Sequence, residues 1–182
     1  MDIFLTDEDP EICAETLCDQ HLLLQINQVS KLLTFMIAEE YTVKEDFYGT
    51  PLPELENNNI IIWTKDSETN QIWLCYYAAC LMKEYGERFG FNDNAPREFG
   101  EIAACSQLMR QIARCGKEDQ DIEFSFPKSW WVEDPFNCYQ KRLTKELLSI
   151  SCAWTNSFPP FWLKKSGIVL KREGDKIFKS LQ

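Results

Sequence analysis

The sequence predicts a mainly α protein: a compact helical domain with a short N-terminal strand and a C-terminal β-hairpin. Three observations lead there. Apolar residues recur at three- and four-residue steps through several long stretches, Gly90 and Gly116 stand where such stretches stop, and short apolar-charged runs split by turn formers are confined to the end of the chain. With 182 residues, 45% hydrophobic and 13% aromatic, the chain is long enough for one sizeable core and short for two, so 1–182 reads as a single domain.

Taken in order, Met1 to Thr6 is a short apolar segment of strand character, and Asp7-Glu8-Asp9-Pro10 opens a helix. Asp9 can accept from the free amides of the first turn while Pro10, which has no amide to lose, occupies the first helical position. The spacing of Leu22, Ile26, Val29, Leu33 and Ile37 continues that helix to about Glu40. Residues 41–59, with Gly49-Thr50-Pro51-Leu52-Pro53 and Asn57-Asn58-Asn59, read as a long loop or lid. Ile60 to Trp63 fits either a buried strand or the apolar lead-in to a second helix from about Ser67 to Phe89, for which Asp66 is a candidate N-cap.

A third helix is expected from about Arg97 to Cys115. The aromatic run Phe124 to Trp131 comes after an acidic connection, and Asp134-Pro135 then repeats the Asp9-Pro10 device to start a fourth helix ending near Cys152. Residues 164–182 read as a basic tail hairpin, in which Lys164, Lys165, Lys171, Arg172, Lys176 and Lys179 gather cationic charge. A phosphate or an acidic partner would touch the chain there, unless the hairpin is simply solvated.

Charge and composition exclude several functions. The 29 acidic against 19 basic residues give a net charge of -10, which repels polyanions over the surface as a whole and makes duplex DNA a poor partner. Eight cysteines fall within apolar helical runs and no CxxC occurs, so reduced thiols packed as small hydrophobes are expected, in a cytoplasmic protein without a signal peptide. His21 is the single histidine. No metal site and no cofactor is expected, and no apolar run reaches the length of a membrane span.

Two constellations suit a ligand. His21, Gln25 and Gln28 follow at steps of four and three, so an imidazole and two amides project from one helical face; together they can donate and accept hydrogen bonds, as reading the edge of a planar base requires. The same face can equally be solvated or internally satisfied. The second set is aromatic: Trp63, Trp73, Trp130, Trp131, Trp154, Phe158, Phe161 and Trp162, which fits base stacking or a tryptophan-rich core. Asn70, between Trp63 and Trp73 on a helix, is costly in propensity and so a candidate for positioning something, or else an exposed polar residue. No phosphate loop, GxSxG, HExxH or Ser/His/Asp set occurs.

The order Asp19-Gln20-His21 before a helix resembles the opening of phage pyrimidine-dimer DNA glycosylases of the endonuclease V type. A likeness along nearly the whole chain is to a phage-encoded branch similar to those enzymes. It is carried by Ile3-Phe4 with Asp7 to Pro10, Cys18 to His21, Trp63 with Ser67, Asn70, Trp73 and Leu74, Glu84-Tyr85 with Arg88 and Gly90, Pro135 with Tyr139 and Lys145, and Trp154-Thr155 with Pro160 and Trp162. The resemblance implies catalytic positions at His21 and Gln28 and a ligand lining of Gln25, Trp63, Asn70, Trp73, Arg88, Tyr139, Trp154 and Trp162, in a protein of the host cytoplasm.

The chain also departs from that branch. Gln28 stands where the family has a catalytic glutamate, Gln140 where a basic residue often follows the tyrosine, and Asp93 where a histidine tends to follow the Arg-x-Gly segment. An amide neither takes a proton at neutral pH nor supplies negative charge. The family's nucleophile is the amine exposed when Met is trimmed, whereas Asp2 is too large for ready trimming and leaves that amine on Met1. Three readings stay open: an N-glycosylase-like hydrolase acting on a nucleotide or modified base, a non-catalytic viral protein that sequesters a nucleotide signal, and an acidic decoy that binds a host protein.

Overall fold

The structure is a computed structural model that describes residues 3–46, 49, 57–92, 95–114, 135–166 and 168–179, without the side chains of 110–114, 135 and 164–166. It is mainly helical, with a small antiparallel sheet near the C-terminus. The helices are α1 (Pro10–Glu15), α2 (Asp19–Glu40), α3 (Asn59–Asp66), α4 (Glu68–Phe89), α5 (Glu98–Arg114) and α6 (Pro135–Ser149). The strands are β1 (Ala153–Thr155), β2 (Leu170–Glu173) and β3 (Lys176–Lys179), and a 3-10 turn spans Phe161–Ser166.

The Asp9-Pro10 start is as expected: the Asp9 side chain accepts from the Glu11 amide at 2.8 Å. The helix does not run on to Glu40, however. It breaks after Glu15, where the Thr16 hydroxyl turns back to the Cys13 carbonyl at 2.8 Å and Cys18 takes an extended conformation that restarts the chain as α2. The break is stabilised from outside, because the buried Arg88 guanidinium donates to the carbonyls of Glu15 and Leu17 that a continuous helix would have used itself.

Ile60 to Trp63 is helical, the core of α3. Asn58 caps α3 through its side chain, and the extended Ser67 separates it from α4 while accepting from the Asn70 amide at 3.1 Å. The N-cap of α4 is thus Ser67 rather than Asp66.

Helices α2, α4 and α5 form the body of the fold. The predicted stripe Leu22, Ile26, Val29, Leu33 and Ile37 is buried, each side chain contributing about 1.5–3 kcal/mol relative to exposure. Asn27 with Glu98, Ser30 with Glu101 and Thr34 with Cys105 all pair at a separation of 71 residues, so α2 and α5 run parallel, in a register fixed by a polar seam. Helix α4 is antiparallel to both: Tyr77 meets Gln25 while the later Arg88 meets the earlier Asp19, and Cys75 meets Met109 while Tyr85 meets Phe99. Gly90 ends α4 with a φ of 75°, a conformation in which a side chain would be strained.

The expected hairpin is β2 and β3, joined by a third strand in the order β1-β3-β2. The opening segment is buried at Ile3, Phe4 and Leu5 but pairs with no strand among the described residues. Its Phe4 amide donates to the Gln25 side chain at 3.2 Å, so a helix rather than a sheet receives it. The sheet is tied to α6 by Lys179, whose ammonium donates to the carbonyls of Leu147, Leu148 and Ile150 at 2.9, 2.8 and 2.9 Å and so neutralises the negative end of that helix. Nine of the nineteen residues of the expected lid (47, 48 and 50–56), the run Phe124 to Trp131, Asp134, Asp93 and Gly116 lie outside the described residues.

Candidate functional site

His21, in the first turn of α2, is 5% exposed and packs its ring 5.2 Å from that of Phe4. Its Nε2 lies 3.6 Å from Oε2 of Glu146 on α6, a half-exposed carboxylate that Arg142 also contacts at 3.3 Å. That separation exceeds a direct hydrogen bond, so the pair interacts electrostatically. Burial lowers the His21 pKa, and Glu146 opposes that shift with the smaller influence. At neutral pH the imidazole is therefore uncharged. Nδ1 is buried without a hydrogen-bond partner among the described residues. Placing the proton on Nε2 leaves a lone pair rather than an N–H at that dry position, the less costly arrangement.

Gln25 and Gln28 lie on the same side of α2. Gln25 is fully buried; its Oε1 accepts from the Phe4 amide and from the Tyr77 hydroxyl at 3.1 Å, while its Nε2 donates to Oε1 of Gln28 at 3.0 Å. It pins the N-terminal segment and α4 to α2. Of the two amides, the half-buried Gln28 is the one nearer solvent.

Arg88 is buried in an ion-pair network with Glu84 at 2.6 Å and Asp19 at 3.1 Å. Asp19 accepts from the Thr155 amide and hydroxyl at 3.1 and 2.7 Å, Glu84 from the Ser157 hydroxyl at 3.0 Å, and the Arg88 carbonyl from Asn156 at 3.1 Å. The network joins the start of α2, the end of α4 and the exit of β1, so its donors serve the fold. Asn70 is committed too: buried, it donates to the Trp63 carbonyl at 2.7 Å and links α3 to α4.

The aromatic residues separate into core and surface. Trp63 meets Trp73 edge-on at 5.8 Å, Trp73 stacks on Tyr77 at 5.1 Å and donates its indole N–H to the Glu8 carbonyl at 2.8 Å, and Tyr139 and Trp154 are buried. These five pack the interior. Trp162 is half-buried, while Phe158 and Phe161 beside it are 72% and 76% exposed.

Of the candidate catalytic and lining residues, the fold leaves Gln28 and Trp162 half-buried and the others, His21 included, buried. It adds Glu146, which no spacing rule joins to His21 because the two sit on different helices. Gln140, on the face of α6 toward the N-terminal segment, donates to the Thr6 carbonyl at 3.0 Å.

Four of the buried thiols are held in the protonated form. Burial pushes Cys13 up to about 12 and Cys18, Cys80 and Cys105 to about 11, leaving them protonated at neutral pH. Among the described residues, no group of three or more His, Cys, Asp and Glu could hold a metal ion, and no helix is long and apolar enough to cross a membrane. A groove of about 220 Å³ opens at the far end of α2, lined by Thr34, Ile37, Ala38, Tyr41, Val43, Glu45 and Asp46. By helical rise it lies roughly 24 Å from His21.

Comparison with models of known families, with characterised proteins and with solved structures finds no match for this chain.

Proposed function

We propose that the protein handles a nucleotide or a nucleobase, is related to the DNA glycosylases, and uses His21 and Glu146 as its proton-handling pair. The observation that carries the reading is their juxtaposition: an uncharged, buried imidazole 3.6 Å behind a half-exposed carboxylate, on the helix whose Gln28 stands where the family has its glutamate. Glu146 is the member that can touch a ligand. Its negative charge suits a sugar carbon that becomes positive as a base departs; in a hydrolysis the C1′–N bond breaks, a water forms the new C1′–O bond, and the proton that water gives up passes through Glu146, with His21 behind it, to the leaving base.

The test is a nucleotide and nucleobase panel followed by thermal shift and native mass spectrometry, with chromatography of what is released. A ligand-dependent rise in melting temperature that Glu146→Gln diminishes is expected, together with free base and sugar phosphate. Absence of any shift across the panel would sink the proposal.

A second reading, a protein that holds a nucleotide signal intact, is favoured by Gln28 itself, because its amide is engaged with Gln25 and brings no charge. Recovery of unaltered ligand after heat release distinguishes it from the enzyme.

A further inference from the structure

The outward face of the sheet has a composition unlike the rest of this acidic chain. Residues directly opposite one another on neighbouring strands share a face, and successive residues alternate. Trp154 is fully buried and pairs with Ile177, which pairs with Arg172, so those three mark the inner face. The outer face therefore carries Ala153, Phe178 and Lys171 in one row, and Thr155, Lys176 and Glu173 in the next. Phe178 is half-buried on the middle strand, flanked by the small Ala153 on one side and the exposed Lys171 on the other, with exposed Lys176 two residues before it.

The cations of this region are not equivalent. Lys179 is committed to the carbonyls at the end of α6, and Arg172 bends to the Gly174 carbonyl at 3.3 Å. Lys171 and Lys176 make no ion pair with any of the described residues. A lysine on the edge strand β2 guards against edge-to-edge pairing, but that does not account for a half-buried ring on the central strand beside an alanine.

We propose that this face binds a short single-stranded nucleic acid, a base stacking on Phe178 and backbone phosphates lying against Lys171 and Lys176. Charge complementarity selects the partner: two uncommitted ammonium groups beside a π-face on a chain of net charge -10. Glu173, opposite Lys176, is the one acid in the two rows and limits the strand's path at the hairpin end. A duplex would bring more phosphate to the acidic remainder of the surface, and a single ring offers too little apolar area to enter a lipid interface. The inference does not depend on chemistry at His21 and Glu146.

Fluorescence anisotropy of a labelled oligothymidylate with the full chain at low salt tests it. Binding is expected, with a log-log salt slope of about −1.4 for two phosphates. Phe178→Leu, which keeps an apolar side chain in the sheet, should weaken it roughly 5- to 150-fold, the range found for losing one stacked base. Lys171→Gln with Lys176→Gln should flatten the salt slope, while Lys65→Gln, at an exposed lysine of α3 paired with Glu39, should leave affinity unchanged, which separates this surface from non-specific charge. Circular dichroism establishes that each variant is folded. Failure to bind the oligonucleotide, equal affinity in folded Phe178→Leu, or binding to phosphatidylserine vesicles in place of the oligonucleotide would each overturn the proposal.

Discussion

The imidazole of His21 faces the carboxylate of Glu146 at 3.6 Å, with the ring of Phe4 at 5.2 Å. One residue opens α2 and the other lies in the last turn of α6, so only the packing of α6 against the N-terminal segment creates the pair.

The lowered pKa of His21 sets a sign for acid stability. Burial depresses it more than Glu146 raises it, so between the unfolded value of 6.5 and the lower folded value the unfolded chain binds the extra proton. The contribution is full above about pH 6.5 and is lost as pH falls toward the folded pKa. Urea unfolding should therefore give lower stability at pH 5.5 than at pH 7.5. His21→Phe, which preserves the ring packing, should reduce that difference, and an unchanged difference in the variant would refute the assignment.

Removing Arg88 strands the buried Glu84 carboxylate and the half-buried Asp19 carboxylate at once. Arg88→Ala should cost about 3–5 kcal/mol, measured by denaturant unfolding. Arg88→Lys should recover only part of this, since a single ammonium cannot serve Glu84, Asp19 and the carbonyls of Leu17 and Glu15 together. A variant as stable as the parent would show that the network is dispensable.

Helix α2 ends in a tight turn in which the Val43 amide reaches the Ala38 carbonyl at 2.7 Å and the Thr42 amide reaches that of Glu39 at 3.2 Å. Thr42 occupies the left-handed position with a φ of 57°, which its branched side chain tolerates poorly. Thr42→Gly should stabilise the fold by about 1 kcal/mol, read as a higher denaturation midpoint with an unchanged slope. A lower midpoint would contradict the strain.

Gln28→Glu tests the proposed relation to the glycosylases directly. A carboxylate can still accept the hydrogen bond from Gln25 Nε2, so the fold should persist while a negative charge appears at the position the resemblance makes catalytic. Gain of base release from an oligonucleotide or nucleotide substrate is the expected outcome. A folded variant that binds ligand and releases no base would indicate that the rest of the catalytic apparatus is missing too.

Several elements were legible in the chain. The Asp9-Pro10 start, the buried stripe of α2, the Gly90 stop and the C-terminal hairpin depend on neighbouring residues, because capping, helical periodicity and glycine's backbone freedom act over a turn or two. The break between α1 and α2 was not legible, since the arginine that satisfies its carbonyls lies on α4. Nor was the unpaired N-terminal segment, which finds a side-chain amide where a strand was expected.

By itself the sequence determined a mainly helical fold, a net charge of -10 and an uncharged amide at Gln28, all properties of composition or of residues close along the chain. Tertiary structure alone decided which polar groups are committed. Gln25, Asn70 and Arg88 look alike as candidates until long-range hydrogen bonds place them in the framework. His21 and Glu146 become a pair only when two distant helices pack. The physical reason is that burial and charge proximity, which set protonation and access, are sums over neighbours in space.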